Sequence, residues 1–409
     1  TQVFILNRKM KLNERELANT VKLVTSNSIS KLGDILFDYV NSVWLSKLGN
    51  GSFWMAVYQS SETIVSVFVN FIGGILSDTK QRKSIIWICD IIAGLLCIAL
   101  AVFVPSIWLL YAIIAVNIAL SVLSSIRDPA YKAVFGEIVR KEQIGRVNSL
   151  LESCKQTIKV AGPVLAMVIA KFFGSKMALL LDGLTFIISG LLIRQLDILF
   201  ETEPPVAKQS NFSKIKDAFK YLLAEKNILI VIVFASVINF ILAGYELILP
   251  FASFAFSKNA YAFFLTAESV GGLLGAVASN LIRKELSSKY LFWIIAVAGL
   301  PLAVMSLLYQ VSHWLFGPII CITLFNFCVS VFNIQFMTYI QTNADMTYIG
   351  RVFSIVFTAA IIFVPLGSFF FQFVMDVKDS VDYLWLGGLL TFVAGLASVI
   401  YSLNQRRAE

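Results

Sequence analysis

A stripe of polar residues runs along one predicted helix near the start of the chain. Its members recur at steps of four, three, four and three residues: Asn27, Lys31, Asp34, Asp38 and Asn41. This spacing places them on one face of an α-helix. The flanking sequence is apolar enough to lie in a membrane, where each charged group costs about 2.5 to 3.5 kcal/mol. Such groups line a bundle interior or a water-filled cavity, where they pair or bind a substrate or a proton.

Two interpretations of the stripe remain open at this point. Lys31 precedes Asp34 by three residues, which is within side-chain reach on a helix, so the stripe could be an internally paired structural cluster. The alternative is a functional site. In that case Asn27, Lys31, Asp34 and Asp38 bind substrate, and the two carboxylates also carry protons, because hydration of the cavity changes their ionisation.

Other ionisable side chains are predicted at similar depth in the membrane. Glu152, Lys155, Gln156 and Lys159 recur on one helical face, and Lys159 lies about half-way across at a rise of 1.5 Å per residue. Because an unpaired ammonium is unfavourable there, we expect Lys159 to pair with an acidic residue. The candidate proton-coupling residues in these other segments are Glu62, Lys155, Lys159 and Glu268. For Glu62 and Glu268 a static ion pair is an equally good interpretation.

The composition defines the class of protein. Of the 409 residues, 58 % are hydrophobic and only 14 % are charged. A membrane-spanning helix needs about 20 mostly apolar residues, so this is an all-α polytopic membrane protein. Residues 1–20 are polar and do not resemble a cleavable signal peptide. The five cysteines fall in apolar segments without metal-binding spacing, so neither disulfides, a metal site nor a cofactor is expected.

Twelve spans are predicted, in two halves of six. They lie near residues 20–46, 52–77, 84–104, 106–126, 146–171, 176–197, 227–252, 259–282, 289–310, 313–338, 350–373 and 382–403. A cytoplasmic N-terminal segment (1–19) precedes the first half (20–197). A cytoplasmic linker (198–226) joins it to the second half (227–403), and a cytoplasmic tail follows (404–409). In the linker, Phe212, Ile215, Phe219 and Leu222 share one helical face, which suggests an amphipathic helix on the inner leaflet. A plain flexible linker is the alternative.

Lys and Arg are unevenly distributed among the predicted loops. If the N-terminus is cytoplasmic, the outer loops contain only Lys47, Lys171, Lys176, Lys258 and Lys378, and the remaining basic residues are mostly on the inner side. This asymmetry follows the positive-inside rule and places both termini in the cytoplasm. The net charge of +8 is thereby explained, and no basic soluble face with interleaved aromatics indicates nucleic-acid binding.

The two halves share an internal repeat. Ile144-Gly145-Arg146-Val147 recurs 205 residues later as Ile349-Gly350-Arg351-Val352, each time at the start of a span. Both copies run in the same direction across the membrane. Parallel repeats of six spans are typical of transporters whose substrate site lies between the halves near the bilayer midplane.

Several motifs resemble one family of transporters. The segment from Gly74 to Lys83, GILSDTKQRK, is similar to the loop signature G-x-L-x-D-R-x-G-R-[RK] of the major facilitator superfamily, with Thr79 and Gln81 as departures. Asp128-Pro129-Ala130, Arg146 to Leu150, Gly162-Pro163, Gly33-Asp34 and Asp90 resemble the third drug:proton antiporter family, the macrolide-efflux-like branch. Asn117 occupies the place of a usual arginine. The family fold implies that Asn117, Asn239 and Asn326 line the cavity as ligand candidates.

The resemblance also implies an inner gate. The loop carboxylate, here Asp78, would lie against the start of span eleven, where Gly350 permits close approach and Arg351 adds a charge. A helix cap on span three is the alternative role for Asp78. The predicted gating residues are Gly74, Asp78, Arg82, Lys83, Arg146, Glu285, Gly350 and Arg351.

The leading function is secondary transport of a small amphiphilic molecule, with proton-coupled efflux implied by the family resemblance. A single histidine and the absence of a GxxxxGK[ST] loop disfavour hydrolytic enzymes and direct use of ATP. Drug export, siderophore movement in either direction, lysophospholipid translocation and a transport-dead receptor or scaffold remain alternatives. The expected partners are a small-molecule substrate, protons or another coupling ion, and lipid; the protein is expected to be monomeric.

Overall fold

The computed structural model describes residues 13–77, 81–200, 222–223, 225–281, 288–344 and 349–406. All regular structure in these ranges is helical. The helices up to the predicted linker are α1 Glu14–Ser46, α2 Gly51–Ser77, α3 Arg82–Phe103, α4 Leu109–Ala133, α5 Phe135–Ile138 and α6 Lys141–Arg194. Those after it are α7 Lys226–Ile248, α8 Ala252–Ala255, α9 Ala260–Leu281, α10 Ser288–Ser312, α11 Phe316–Asn343, α12 Ile349–Val374 and α13 Val381–Arg406.

Nine helical segments among the described residues are long and apolar enough to cross a membrane. They coincide with predicted spans three to ten and twelve. Helix α1, which carries the polar stripe, is not among them, and parts of α2 and α12 lie outside the described side chains. The all-helical membrane architecture is therefore established, and the total of twelve spans remains a prediction.

Helix α6 contains both the fifth and the sixth predicted spans. A straight helix of its 54 residues would be about 80 Å long. Both of its ends nevertheless contact the start of α1: Arg140 Nε donates to Glu16 Oε1 at 2.9 Å, and Asn19 Nδ2 donates to the Asp197 carbonyl at 2.8 Å. The chain must therefore reverse direction within α6, which forms two antiparallel arms, Lys141–Phe173 and Lys176–Arg194.

The start of α1 is fixed by reciprocal capping. Asn13 Oδ1 accepts from the Glu16 main-chain N–H at 2.8 Å, and Glu16 Oε2 accepts from the Asn13 main-chain N–H at 3.0 Å, which is a capping box. Burial raises the pKa of Glu16, but the hydrogen bonds from Arg140 and Asn13 outweigh it and hold that pKa below its ordinary value. The resulting stabilisation is present at neutral pH and is lost on acidification.

The described residues divide into two compact units. The first unit contains the described residues of Thr1–Trp44 and Ile64–Lys208, and the second contains the described residues of Leu45–Thr63 and Gln209–Glu409. The end of α1 and the first half of α2 thus belong to the second unit, where Gln59 Nε2 donates to the Glu246 carbonyl at 3.0 Å.

Within each unit, helices approach closely at glycines. In the first unit a side chain on Gly94 of α3 would meet the carbonyl of Gly183 of α6 at 2.6 Å. In the second unit Gly299 of α10 and Gly387 of α13 approach each other in the same way. Small residues at helix crossings are the usual means by which membrane helices gain packing contacts. The crossing at Gly94 and Gly183 holds together α3 and α6, which carry buried polar residues of the first unit.

Candidate functional site

The polar stripe of α1 lies in the first unit and contains a loose ion pair. Lys31 Nζ and Asp34 Oδ2 are 3.4 Å apart, and their side chains are 38 % and 25 % exposed. Asn27 is half-buried, Asn41 is buried and Asp38 is exposed. Asp38 is therefore the most accessible member of the stripe, Asn41 is the least accessible, and Asp34 is intermediate.

A second, tighter ion pair lies beside the stripe. Arg127 Nη1 of α4 donates to Asp90 Oδ1 of α3 at 2.9 Å, with side chains 15 % and 2 % exposed. The same guanidinium nitrogen contacts Ser30 Oγ of α1 at 3.2 Å. Ser189 Oγ of α6 donates to Asp90 Oδ2 at 2.6 Å, so four helices share this network. Asp90 thus has two strong donors and is satisfied where it lies.

Asp182 is a third acidic group in the first unit. It lies on the second arm of α6 and is fully buried. A side chain on Gly33 of α1 would collide with the side chains of Asp182 and Thr185, so the glycine before Asp34 is where this arm meets α1. Asn117 of α4, a predicted ligand residue, is also buried in this unit.

The first arm of α6 presents its polar side chains differently. Lys155 is half-buried, whereas Lys159 and Glu152 are exposed, and Gln156 Nε2 donates to Glu152 Oε1 at 2.7 Å. The structure leaves the predicted pairing of Lys159 with Asp34, Asp38 or Glu268 as a prediction. Glu62 of α2 is also exposed.

A separate polar cluster occurs in the second unit. Tyr245 Oη of α7 donates to Glu268 Oε1 of α9 at 2.9 Å, and the amide of Asn326 of α11 also faces Glu268. The Tyr245 ring packs edge-on against Phe325, with centroids 4.9 Å apart. Two predicted site residues, Glu268 and Asn326, are thereby brought together. The amide of Asn239, on α7, donates to the carbonyl of Ala235 in its own helix at 2.9 Å.

The predicted gating residues are only partly described. Arg82 Nη1 donates to Glu137 Oε1 of the same unit at 2.9 Å, and both side chains are buried. Lys83 Nζ donates to the Leu196 carbonyl at 2.7 Å, and Arg146 is exposed. Asp78 and Glu285 lie outside the described residues, as do the surroundings of Gly74, Gly350 and Arg351. The inner gate remains a prediction.

Sequence reasoning missed three participants in these clusters. Arg127 was counted among the inner-loop charges because span four was predicted to end at residue 126, whereas α4 continues to Ala133. Asp182 is a lone acid in an apolar span, with no periodic partner to indicate a role. Tyr245 gave no signal, because a tyrosine near the end of an apolar span is also typical of the membrane interface.

Apolar helices of spanning length, together with charged networks buried between them, define a multi-pass membrane protein of the transporter class. Residues 48–368 match the family described as Major Facilitator Superfamily, so the chain belongs to that superfamily.

Named relatives and solved structures agree with this assignment. The uncharacterized MFS-type transporter YfiS of Bacillus subtilis (strain 168) is 24 % identical over 358 residues, covering 84 % of each chain. YkuC of the same organism, also an uncharacterized MFS-type transporter, is 23 % identical over 299 residues, covering 69 % of each. The nucleoside transporter NupG has a TM-score of 0.71 at 14 % identity, covering 94 % of this chain and 98 % of that one. A bacterial homologue of the iron transporter ferroportin, in the inward-facing state, has a TM-score of 0.70 at 17 % identity, covering 94 % and 98 %.

Proposed function

We propose that the protein is a secondary transporter that exports small amphiphilic molecules across the cytoplasmic membrane in exchange for protons, with both termini in the cytoplasm. The observation that carries this proposal is the half-exposed Lys31–Asp34 pair on α1, beside the buried Asp90–Arg127 pair. This arrangement favours a transporter over an enzyme, because the charged groups lie on one face of a predicted membrane-spanning helix and on the helices packed against it.

The two ion pairs differ in a way that assigns their roles. Asp90 is nearly inaccessible and receives strong hydrogen bonds from Arg127 and Ser189. Asp34 has one cation partner at 3.4 Å and is 25 % exposed, so a ligand or a proton can replace that partner. Asp90 therefore holds the helices together, and Asp34 is the group that exchanges partners. This contrast supports the functional interpretation of the stripe over a purely structural one.

The balance of charge around the polar stripe of α1 suggests the class of substrate. Asp34, Asp38 and Asp90 outnumber the two cations, Lys31 and Arg127. An amphiphile with a positive charge would be attracted there, whereas a phosphate-bearing lysophospholipid would meet like charge. The solved neighbours are named for nucleosides and iron, which shows that the fold alone does not select a substrate. Multidrug-type export of organic cations is the form of the proposal that this charge balance supports.

Proton-driven transport of ethidium, a fluorescent aromatic cation, tests the proposal in proteoliposomes with and without an imposed pH gradient. We expect the gradient to accelerate transport by the native protein. The acceleration should disappear in the Asp34→Asn, Asp38→Asn double variant, because amides cannot carry protons. The Asp128→Asn variant is the matched control, since it removes an exposed carboxylate from α4 and should leave the acceleration intact. Undiminished gradient-driven transport by the double variant would refute the proposal.

A further inference from the structure

Asp182 has no place in the ion pairs described above. Its exposed fraction is zero, and neither of its carboxyl oxygens accepts a hydrogen bond of ordinary geometry. The hydroxyl of Thr185, one turn along α6, donates to the Asp182 main-chain carbonyl at 2.7 Å and also lies near the carboxyl group. The thiol of Cys97 on α3 faces the carboxyl group, and a thiol is a weak donor.

Among the described residues, the charged groups around Asp182 offer it no counter-ion. From α1 it experiences the negative charges of Asp34 and Asp38. The nearby cations already have other partners: Lys31 contacts Asp34, and Arg127 of α4 binds Asp90 of α3. A carboxylate that is buried, unpaired and close to like charges is much less stable than the neutral acid. The carboxyl group of Asp182 therefore needs a proton to remain in this position.

The absence of a side chain at Gly33 lets the carboxyl group of Asp182 lie close to the polar stripe of α1. That carboxyl group packs against α1 at the residue that precedes Asp34, where it experiences the charge of Asp34. Chains of carboxyl groups inside membrane proteins are known to relay protons.

We propose that Asp182 holds a proton in the resting protein and transfers it to Asp34 when the Lys31 contact opens. In that step the O–H bond of Asp182 breaks and an O–H bond forms on Asp34, so that one proton moves and the total charge is unchanged. Opening of the Lys31 contact removes the cation that stabilises the Asp34 carboxylate, so Asp34 becomes a better proton acceptor, which favours the transfer. The transfer step rests on the proposed proton coupling, whereas the protonated state of Asp182 does not.

Infrared difference spectroscopy of the purified full-length protein at neutral pH tests the protonated state without substrate or gradient. We expect a carbonyl band of a protonated carboxylic acid in the native spectrum that is absent from Asp182→Asn. The Asp197→Asn variant, which changes an exposed carboxylate beyond the end of α6, should keep the band. In Asp182→Glu, which retains a carboxyl group, the band should move in frequency. If Asp182→Asn does not fold, the Asp182→Glu variant still tests the assignment of the band.

The same variants report on the transfer step in the ethidium assay. The gradient-driven rate of ethidium transport should fall at least tenfold in Asp182→Asn, whereas Asp197→Asn should transport at the native rate. An identical carboxylic-acid band in the native protein, Asp182→Asn and Asp182→Glu would overturn the protonated state. Loss of the band together with unchanged gradient-driven transport would overturn the transfer. If the native protein showed the band but no gradient-driven transport at all, the proposed function would fail and the protonated Asp182 would stand.

Discussion

Replacing Asp90 with Asn is expected to destabilise the protein by about 3 kcal/mol or more, because it removes the buried one of the two carboxylates that pair with the largely buried Arg127. The amide can still accept one hydrogen bond, but it carries no charge to balance the guanidinium. Unfolding in detergent can be followed with a thiol-reactive fluorophore, since Cys89, Cys97 and Cys321 are free and buried in the folded protein. The variant should expose these thiols at a clearly lower temperature.

The same arginine supplies the control. Arg127 Nε also contacts Asp128 Oδ1 at 3.3 Å, but the Asp128 side chain is 59 % exposed. An exposed pair contributes about 0 to 1 kcal/mol, so Asp128→Asn should change the unfolding temperature little. Adding Arg127→Gln to Asp90→Asn should recover part of the loss, because both partners are then neutral. Equal destabilisation by Asp90→Asn and Asp128→Asn would contradict the assignment of the buried pair as the structural one.

Two adjacent glycines on α13 should respond in opposite directions to the same change. A methyl group on Gly387 would come within 3.0 Å of backbone atoms of Gly299 and Ala303 on α10, which cannot rotate away. Overpacking of this kind costs about 1 to 3 kcal/mol, and backbone contacts place Gly387→Ala at the upper end. A methyl group on Gly388 would have no atom within 4 Å. Gly388→Ala should therefore stabilise α13 by about 0.5 to 1 kcal/mol through helix propensity.

The thiol-exposure assay distinguishes the two glycine variants, because Cys321 lies on α11, which packs against α10. Gly387→Ala should unfold earlier than the native protein, and Gly388→Ala at the same temperature or later. Similar shifts in both variants would mean that the close crossing of α10 and α13 does not contribute to stability.

The features that follow from local periodicity were accessible from the sequence. The stripe on α1 and the proximity of Lys31 to Asp34 depend on spacing within one helix, which composition and step size reveal. The motif between α2 and α3 and the repeat at residues 144 and 349 were sufficient to indicate the superfamily that residues 48–368 match.

The tertiary partners were not accessible in the same way. Asp90 meets Arg127, and Asp182 meets Gly33, only because α3, α4 and α6 pack around α1. Arg127 was assigned to a loop because the sequence changes from apolar to polar at that point, yet α4 continues through Pro129 to Ala133. A charged residue that interrupts an apolar segment can still lie within the membrane helix when it forms an ion pair with a buried carboxylate.

Proton release on substrate binding is the most direct test of the account. Weakly buffered, detergent-solubilised protein is mixed with ethidium, and a pH-sensitive dye reports protons released. The account predicts that the native protein releases protons, because the organic cation displaces from Asp34 the proton that Asp182 supplies when the Lys31 contact opens. The Asp34→Asn, Asp38→Asn double variant should release none. Asp128→Asn should match the native protein. Ethidium binding by the native protein without any proton release would contradict exchange of a cationic substrate for protons at the stripe of α1.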